Sequence, residues 1–307
     1  MSAPMHSVAT PPANDLRNLA LGVICGLAVA LIWSGWSVAT RFAMTTSLRP
    51  ADVTFLRFGV SGLLLWPILV RRGIDFKQVG ALRVAVMIVG AGVPFMYLAS
   101  LGTRYAPASH VATLMIGAMP IFVALLSALL FSERFSRTQL LGMIVVVLGV
   151  TCIGGYALVV DRSVGTWRGD ALFLLCGLLF ASYTLAQRRS GISSWQATAL
   201  VNVSSGVLFA PIYFFLLEPR LLSAPVREVL FQVIAQGVFV SILGLYFYAE
   251  AARRLGAPRA AIFGALVPAL SVIISLPVLA EFPSRTTLAG IALVTAGVML
   301  VVIGKRS

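Results

Sequence analysis

Residues 120–150 read PIFVALLSALLFSERFSRTQLLGMIVVVLGV, and residues 268–298 read PALSVIISLPVLAEFPSRTTLAGIALVTAGV. A shift of 148 positions lays the first stretch on the second. Pro120 then falls on Pro268, Ser127 on Ser275 and Glu133 on Glu281. Ser136-Arg137-Thr138 falls on Ser284-Arg285-Thr286, and Leu140, Gly142, Gly149 and Val150 fall on Leu288, Gly290, Gly297 and Val298. The same shift carries Arg41 onto Arg189. The chain is a duplication of a unit about half its length, with five apolar segments in each copy. Five crossings is an odd number, so the second copy enters a bilayer from the opposite side. Two inverted copies are the usual build of a secondary transporter, with the substrate held between them near the midplane.

Composition agrees. The mean hydropathy is +0.98 and only 11% of residues are charged, against about 25% in soluble domains. We therefore expect an all-α membrane protein whose ten transmembrane helices form two inverted five-helix repeats. The spans read 18–40, 52–70, 82–102, 108–131, 138–159, 169–187, 195–217, 228–250, 257–280 and 286–304, each near the ~20 residues that cross the hydrocarbon. The expected organisation is a disordered tail over 1–17, a first repeat over 18–160 and a second over 161–307. Each span must be helical, because lipid offers the backbone no other partners. Ser136, Ser193-Ser194 and Ser284 stand where helix caps belong.

The net charge of +13 sits in short loops, where it orients the protein rather than binding nucleic acid. With both termini inside, 14 Lys and Arg residues lie inside and 9 outside, which favours cytoplasmic termini. Cys25, Cys152 and Cys176 fall within apolar segments and read as packing residues with no disulfide. No metal cluster, Walker loop or nucleophile–base constellation stands out, so no cofactor and no enzymatic role is expected.

The carrying motifs resemble a known family. Ile32-Trp33-Ser34-Gly35 in the first span, Arg104 to Ala112 with Pro120 and Ser132-Glu133-Arg134, and Arg254 to Ala261 with Pro268, Glu281 and Gly290 are similar to the EamA-type branch of the drug/metabolite transporter superfamily. The resemblance covers about 17–304. It implies a permease of a bacterial inner membrane that exports amino acids or other small metabolites. Uptake, or a sugar-type carrier of the same fold, stays open beside it. An intramembrane enzyme or a non-transporting scaffold is the reading from another class.

The span centres show no ionisable residue. Their polar groups are neutral, including Trp33, Trp36, Tyr97, Ser100, Tyr183, Asn202, Ser205, Gln236, Tyr246 and Tyr248. Such a lining suits a small substrate with an apolar body and a few polar groups. From these we single out Trp33, Tyr97, Tyr183, Asn202 and Tyr246, and we add Arg57 and His110 from the outer ends. Arg57 reads either as a structural residue, snorkelling to the outer interface or pairing with Asp52, or as a fixed charge for a substrate carboxylate. His110, with no acidic partner apparent, is either an interfacial residue or a proton carrier. Pro120 and Pro268 read as mid-helix kinks, either hinges or packing devices. Glu133 with Arg137, and Glu281 with Arg285, read as structural turns. The expected partners are a small-molecule substrate, the lipid bilayer and, through His110, protons. A monomer suffices, since one chain holds both halves.

Overall fold

The computed structural model describes residues 13–132, 135–159, 165–255 and 263–304. Glu133 lies outside them. Nine helices among the described residues are long and apolar enough to span a membrane, and a shorter apolar helix, Phe263–Leu279, is the tenth. We label them α1 (Ala13–Thr45), α2 (Pro50–Arg72), α3 (Ala81–Gly102), α4 (Ala108–Phe131), α5 (Arg137–Val159), α6 (Thr166–Arg188), α7 (Ser194–Leu216), α8 (226–255), α9 (Phe263–Leu279) and α10 (Arg285–Ile303). α1 starts at Ala13, inside the stretch read as tail. The loops at 46–49, 103–107, 217–225 and 280–284 gather on what we term the distal face.

The two copies pack reciprocally, equivalent helix against equivalent helix. α5 and α10 run antiparallel. A Cβ placed on Gly142 would sit 2.7 Å from the Gly297 carbonyl oxygen, and one on Gly149 would sit 2.8 Å from that of Gly290. The reverse contacts are as tight, at 2.7 Å for Gly297 and 2.9 Å for Gly290. Residues spaced by seven on each helix thus touch the reciprocal pair on the other. Only backbones stripped of side chains approach this closely in lipid. Elsewhere α1 packs on α8 and α9 while α6 packs on α3 and α4, again an exchange of equivalents.

The backbone keeps the same record. α4 ends at Ser132 and α9 ends at Ala280, each with φ of +53°. These two are related by the 148-residue shift. A left-handed residue at a helix C-terminus satisfies a terminal carbonyl, and among the described residues no other non-glycine has positive φ. Ser136, Ser193 and Ser284 cap the next helices, accepting from the amides of Gln139, Gln196 and Thr287.

The prolines correct the sequence reading. Pro120 and Pro268 do not kink the middle of a continuous α-helix. α4 passes from an α-turn through a π-helical stretch, Val111–Gly117, and restarts at Met119. In the described part of α9 a 3-10 turn, Phe263–Leu266, precedes a restart at Val267. Each proline occupies the first turn of the restarted helix, where its missing N–H is no loss. α8 carries its own π-helical stretch over Val233–Gly244. Gly22 and Gly26, one turn apart on α1, bring that helix close against Leu255 and Phe263.

Candidate functional site

Two polar centres lie inside the bundle, and each is built from both repeats. The first gathers on α1, α2, α3 and α8. Arg57 stands two turns into α2, with its guanidinium 5.8 Å from the Trp36 ring and 5.8 Å from the Phe58 ring. Its Nε and Nη1 are shut off from solvent and have no hydrogen-bond partner. Trp36 is buried and its Nε1–H is likewise unpaired. Thr40, one turn on, donates to the Trp36 carbonyl and accepts from Gln236 Nε2 at 3.0 Å. Gln236 Oε1 is left without a donor. α8 is held against α2 here, since a Cβ on Gly237 would meet Val60.

The result is a small buried set of unspent donors on Trp36 and Arg57 with an unspent acceptor on Gln236. An aromatic wall borders it. Trp36 stacks on Phe95 at 6.4 Å, Phe95 meets Phe180 at 5.5 Å, and Phe180 meets Tyr183 at 5.3 Å. A buried polar atom left unsatisfied costs about 1–3 kcal/mol and asks for an explanation, which makes this cluster on neighbouring helices a candidate site.

The snorkelling reading of Arg57 fails on this geometry, and so does its pairing with Asp52. The Asp52 carboxylate is buried and fully engaged. It accepts from the Tyr213 hydroxyl and from the amides of Arg49 at 2.8 Å and Arg220 at 3.0 Å. Those bonds tie α2 to α7 and leave Arg57 without an ion pair among the described residues. The expectation that the span interiors hold no ionisable group is therefore corrected.

The second centre corrects the reading of His110. Its Nδ1 is 2.7 Å from Asp170 Oδ1, and both side chains are buried. The acidic partner was hidden by sequence distance, though α4 and α6 both start on the distal face. Beside this pair Glu281 reaches across the repeats. It takes Arg41 Nε at 2.7 Å and the Ala108 amide at 3.1 Å. Arg41 also donates to the Thr103 carbonyl. Glu281 is thus a clasp between α1, α4 and the α9–α10 turn, and not a local turn device paired with Arg285. Arg285 and Arg137 are exposed. Ser37 and Ser271 add a 2.7 Å bond between α1 and α9, and Ser47 donates to Glu228 of α8 at 2.6 Å. The distal face is closed by bonds between the copies.

The remaining candidates separate. Tyr183 joins the aromatic wall. Trp33 lies half-buried against Tyr248, 5.5 Å between ring centroids. Tyr97 is half-buried. Asn202 is spent on packing, accepting from Ser61 at 2.6 Å and donating to the Thr198 carbonyl. Tyr246 is 48% exposed and meets only Phe247 among the aromatic rings, apart from the Trp36–Tyr183 wall. Tyr248, two residues on, occupies the inward position instead.

Nine membrane-length apolar helices and a shorter tenth among the described residues, in an inverted duplication, define a polytopic membrane protein of the transporter class, with the Arg57 cluster as its candidate site. The EamA-like transporter family matches twice, over residues 20–155 and 167–303. The chain belongs to that family. A protein of Archaeoglobus fulgidus named an uncharacterized transporter is 28% identical over 283 residues, covering 90% of this chain and 98% of the relative. A probable terminal-alkyne amino-acid exporter of Streptantibioticus cattleyicolor is 27% identical over 219 residues, covering 69% of this chain and 71% of the relative. A crystal structure with 21% identity matches with a TM-score of 0.63 over 93% of this chain and 99% of its own, which establishes the shared fold.

Proposed function

We propose that the protein exports amino acids or closely related zwitterions across a bacterial inner membrane, with both termini cytoplasmic, by alternating access between the two repeats. The observation that carries this reading is the unpaired Nε and Nη1 of Arg57 beside Trp36, with the unpaired Gln236 Oε1 on the facing helix α8. A carboxylate accepts from the free N–H groups of Arg57 and Trp36. An ammonium group donates to the free Gln236 oxygen. The aromatic wall from Phe95 to Tyr183 takes an apolar side chain. The exporter name of the Streptantibioticus relative supports the class, and the closed distal face supports a cycle in which that side opens in turn. The α-helical restarts at Pro120 and Pro268 supply matched joints for that motion.

The test is metabolite profiling of the medium around cells producing the protein, compared with Arg57→Gln at equal membrane abundance. Carboxylate-bearing amines accumulate outside wild-type cells. Arg57→Gln lowers that export roughly tenfold or more, the value of one charge-assisted hydrogen bond of about 1.5–3 kcal/mol. Equal export by both proteins would remove Arg57 from the site, and enrichment inside the cells would reverse the direction.

A further inference from the structure

The His110–Asp170 pair is not used by the substrate reading, and its setting is unlike that of a structural pair. Asp170 Oδ2 is buried with no hydrogen-bond partner among the described residues. A cavity of about 300 Å³ opens beside the pair, lined among others by Arg41, Ser109, His110, Thr166, Glu281 and Thr287. The pair joins the first turn of α4 to the start of α6, and so links one repeat to the other. Two residues before His110, the Ala108 amide is held by Glu281, so both contacts anchor the same turn of α4.

The charges facing the pair can be counted element by element. α1 contributes Arg41, the α9–α10 turn contributes Glu281, and α6 contributes Asp170. α10 contributes the neutral Thr287 and α5 the apolar Ile153. Arg41 and Glu281 neutralise one another at 2.7 Å. Among the described groups that line the cavity, a neutral imidazole therefore leaves the Asp170 carboxylate without a compensating cation. An imidazolium supplies one. An unpaired charge inside a membrane bundle is costly, and imidazole is the side chain that exchanges protons near neutral pH.

We propose that His110 and Asp170 form a proton-binding site whose occupancy holds the distal face shut. The proton reaches the imidazole through the adjoining cavity. It forms one N–H bond and converts the pair into imidazolium and carboxylate. Loss of that proton leaves Asp170 to be hydrated, which opening provides. Binding and closing are then linked, each favouring the other. This rests on the transporter fold and not on the substrate class, so it stands or falls apart from the amino-acid reading.

The test reads opening directly. Thr287→Cys places a thiol in the cavity, on a background with Cys25, Cys152 and Cys176 changed to Ala. Its alkylation by an uncharged water-soluble maleimide is timed at pH 6 and pH 8 in nanodiscs. The same cysteine is followed with Asp170→Asn and with His110→Gln. Thiol ionisation is common to all three and cancels in the ratios. Asp170→Asn removes the charge and stays slow at both pH values. His110→Gln keeps the charge without the proton and is fast at both. The wild-type rate relative to Asp170→Asn rises at least about fivefold from pH 6 to pH 8, the low end of ordinary coupling. A ratio that does not change with pH would overturn the proposal. So would faster labelling in both variants than in wild type at both pH values, which is the signature of a mere structural pin. Ser109→Cys repeats the measurement from α4 if Thr287→Cys lowers abundance.

Discussion

The α5–α10 seam and the cluster around Arg57 are both buried contacts between the repeats, and they are built on opposite terms. The seam is made of positions that the copies share. Gly142 and Gly149 match Gly290 and Gly297, and backbone meets backbone. The cluster is made of positions where the copies differ. The 148-residue shift pairs Trp36 with Thr184, Arg57 with Ser205, and Gln236 with Ile88. The second centre follows the same rule, since Asp170 pairs with Gly22 and His110 with Pro258. Agreement between the copies builds the frame, and divergence within it supplies the chemistry. A site that two identical halves would duplicate is thereby made single and directional.

The largest effect belongs to the seam. Gly149→Leu or Gly290→Leu drives a side chain into a carbonyl less than 3 Å away, and folded protein falls to near background in size-exclusion profiles of detergent extracts. Gly155 lies on the same helix, and a Cβ there would meet only Thr151 of the preceding turn, at 3.7 Å. Gly155→Leu keeps its abundance. Equal loss in both would dissolve the distinction between seam and exposed face.

Next comes the pair of matched positions. Arg57→Gln leaves abundance unchanged and weakens substrate binding about tenfold or more. Ser205→Ala, at the equivalent place in the other copy, changes binding less than about twofold. Similar losses at both would make the site symmetric.

Asp52→Asn has a smaller effect and a different readout. The buried carboxylate loses charge-assisted bonds from Tyr213, Arg49 and Arg220, at a cost of about 1.5–3 kcal/mol. The apparent Tm in detergent falls while per-molecule transport persists. The smallest effect is at the exposed Tyr246→Ala, which changes neither Tm nor transport. Tyr248→Ala, which removes the ring against Trp33, lowers transport more.

Much of the frame was legible in the sequence because duplication is written in identities. Pro120/Pro268, Ser136/Ser284 and the four glycines align, and an odd number of spans fixes the inversion. The helix restarts were not legible. A proline within an apolar run looks the same whether it kinks a helix or begins one, and only the π-helical and 3-10 turns ahead of it decide. The site was half legible. Arg57 stood out as a charge, whereas Trp36 and Gln236 were two among many neutral polar groups, and only the structure joins them through Thr40 next to Arg57. Asp170 was missed because its partner lies 60 positions away. The signal was that the fourth and sixth spans both open on the distal face with a titratable residue. Glu281 was misassigned because its recurrence as Glu133 pointed to a local role, while its bonds reach Arg41 at the far end of the sequence.

The most direct measurement is ligand-induced thermal stabilisation of the purified wild-type protein by a panel of amino acids, run beside the matching amino-acid amides. The amides keep the ammonium group and the side chain and lack only the carboxylate. The account predicts that a subset of amino acids raises the apparent Tm, that their amides do not, and that Arg57→Gln abolishes the difference. Equal stabilisation by acids and amides would contradict the assignment of Arg57 as the group that holds the substrate.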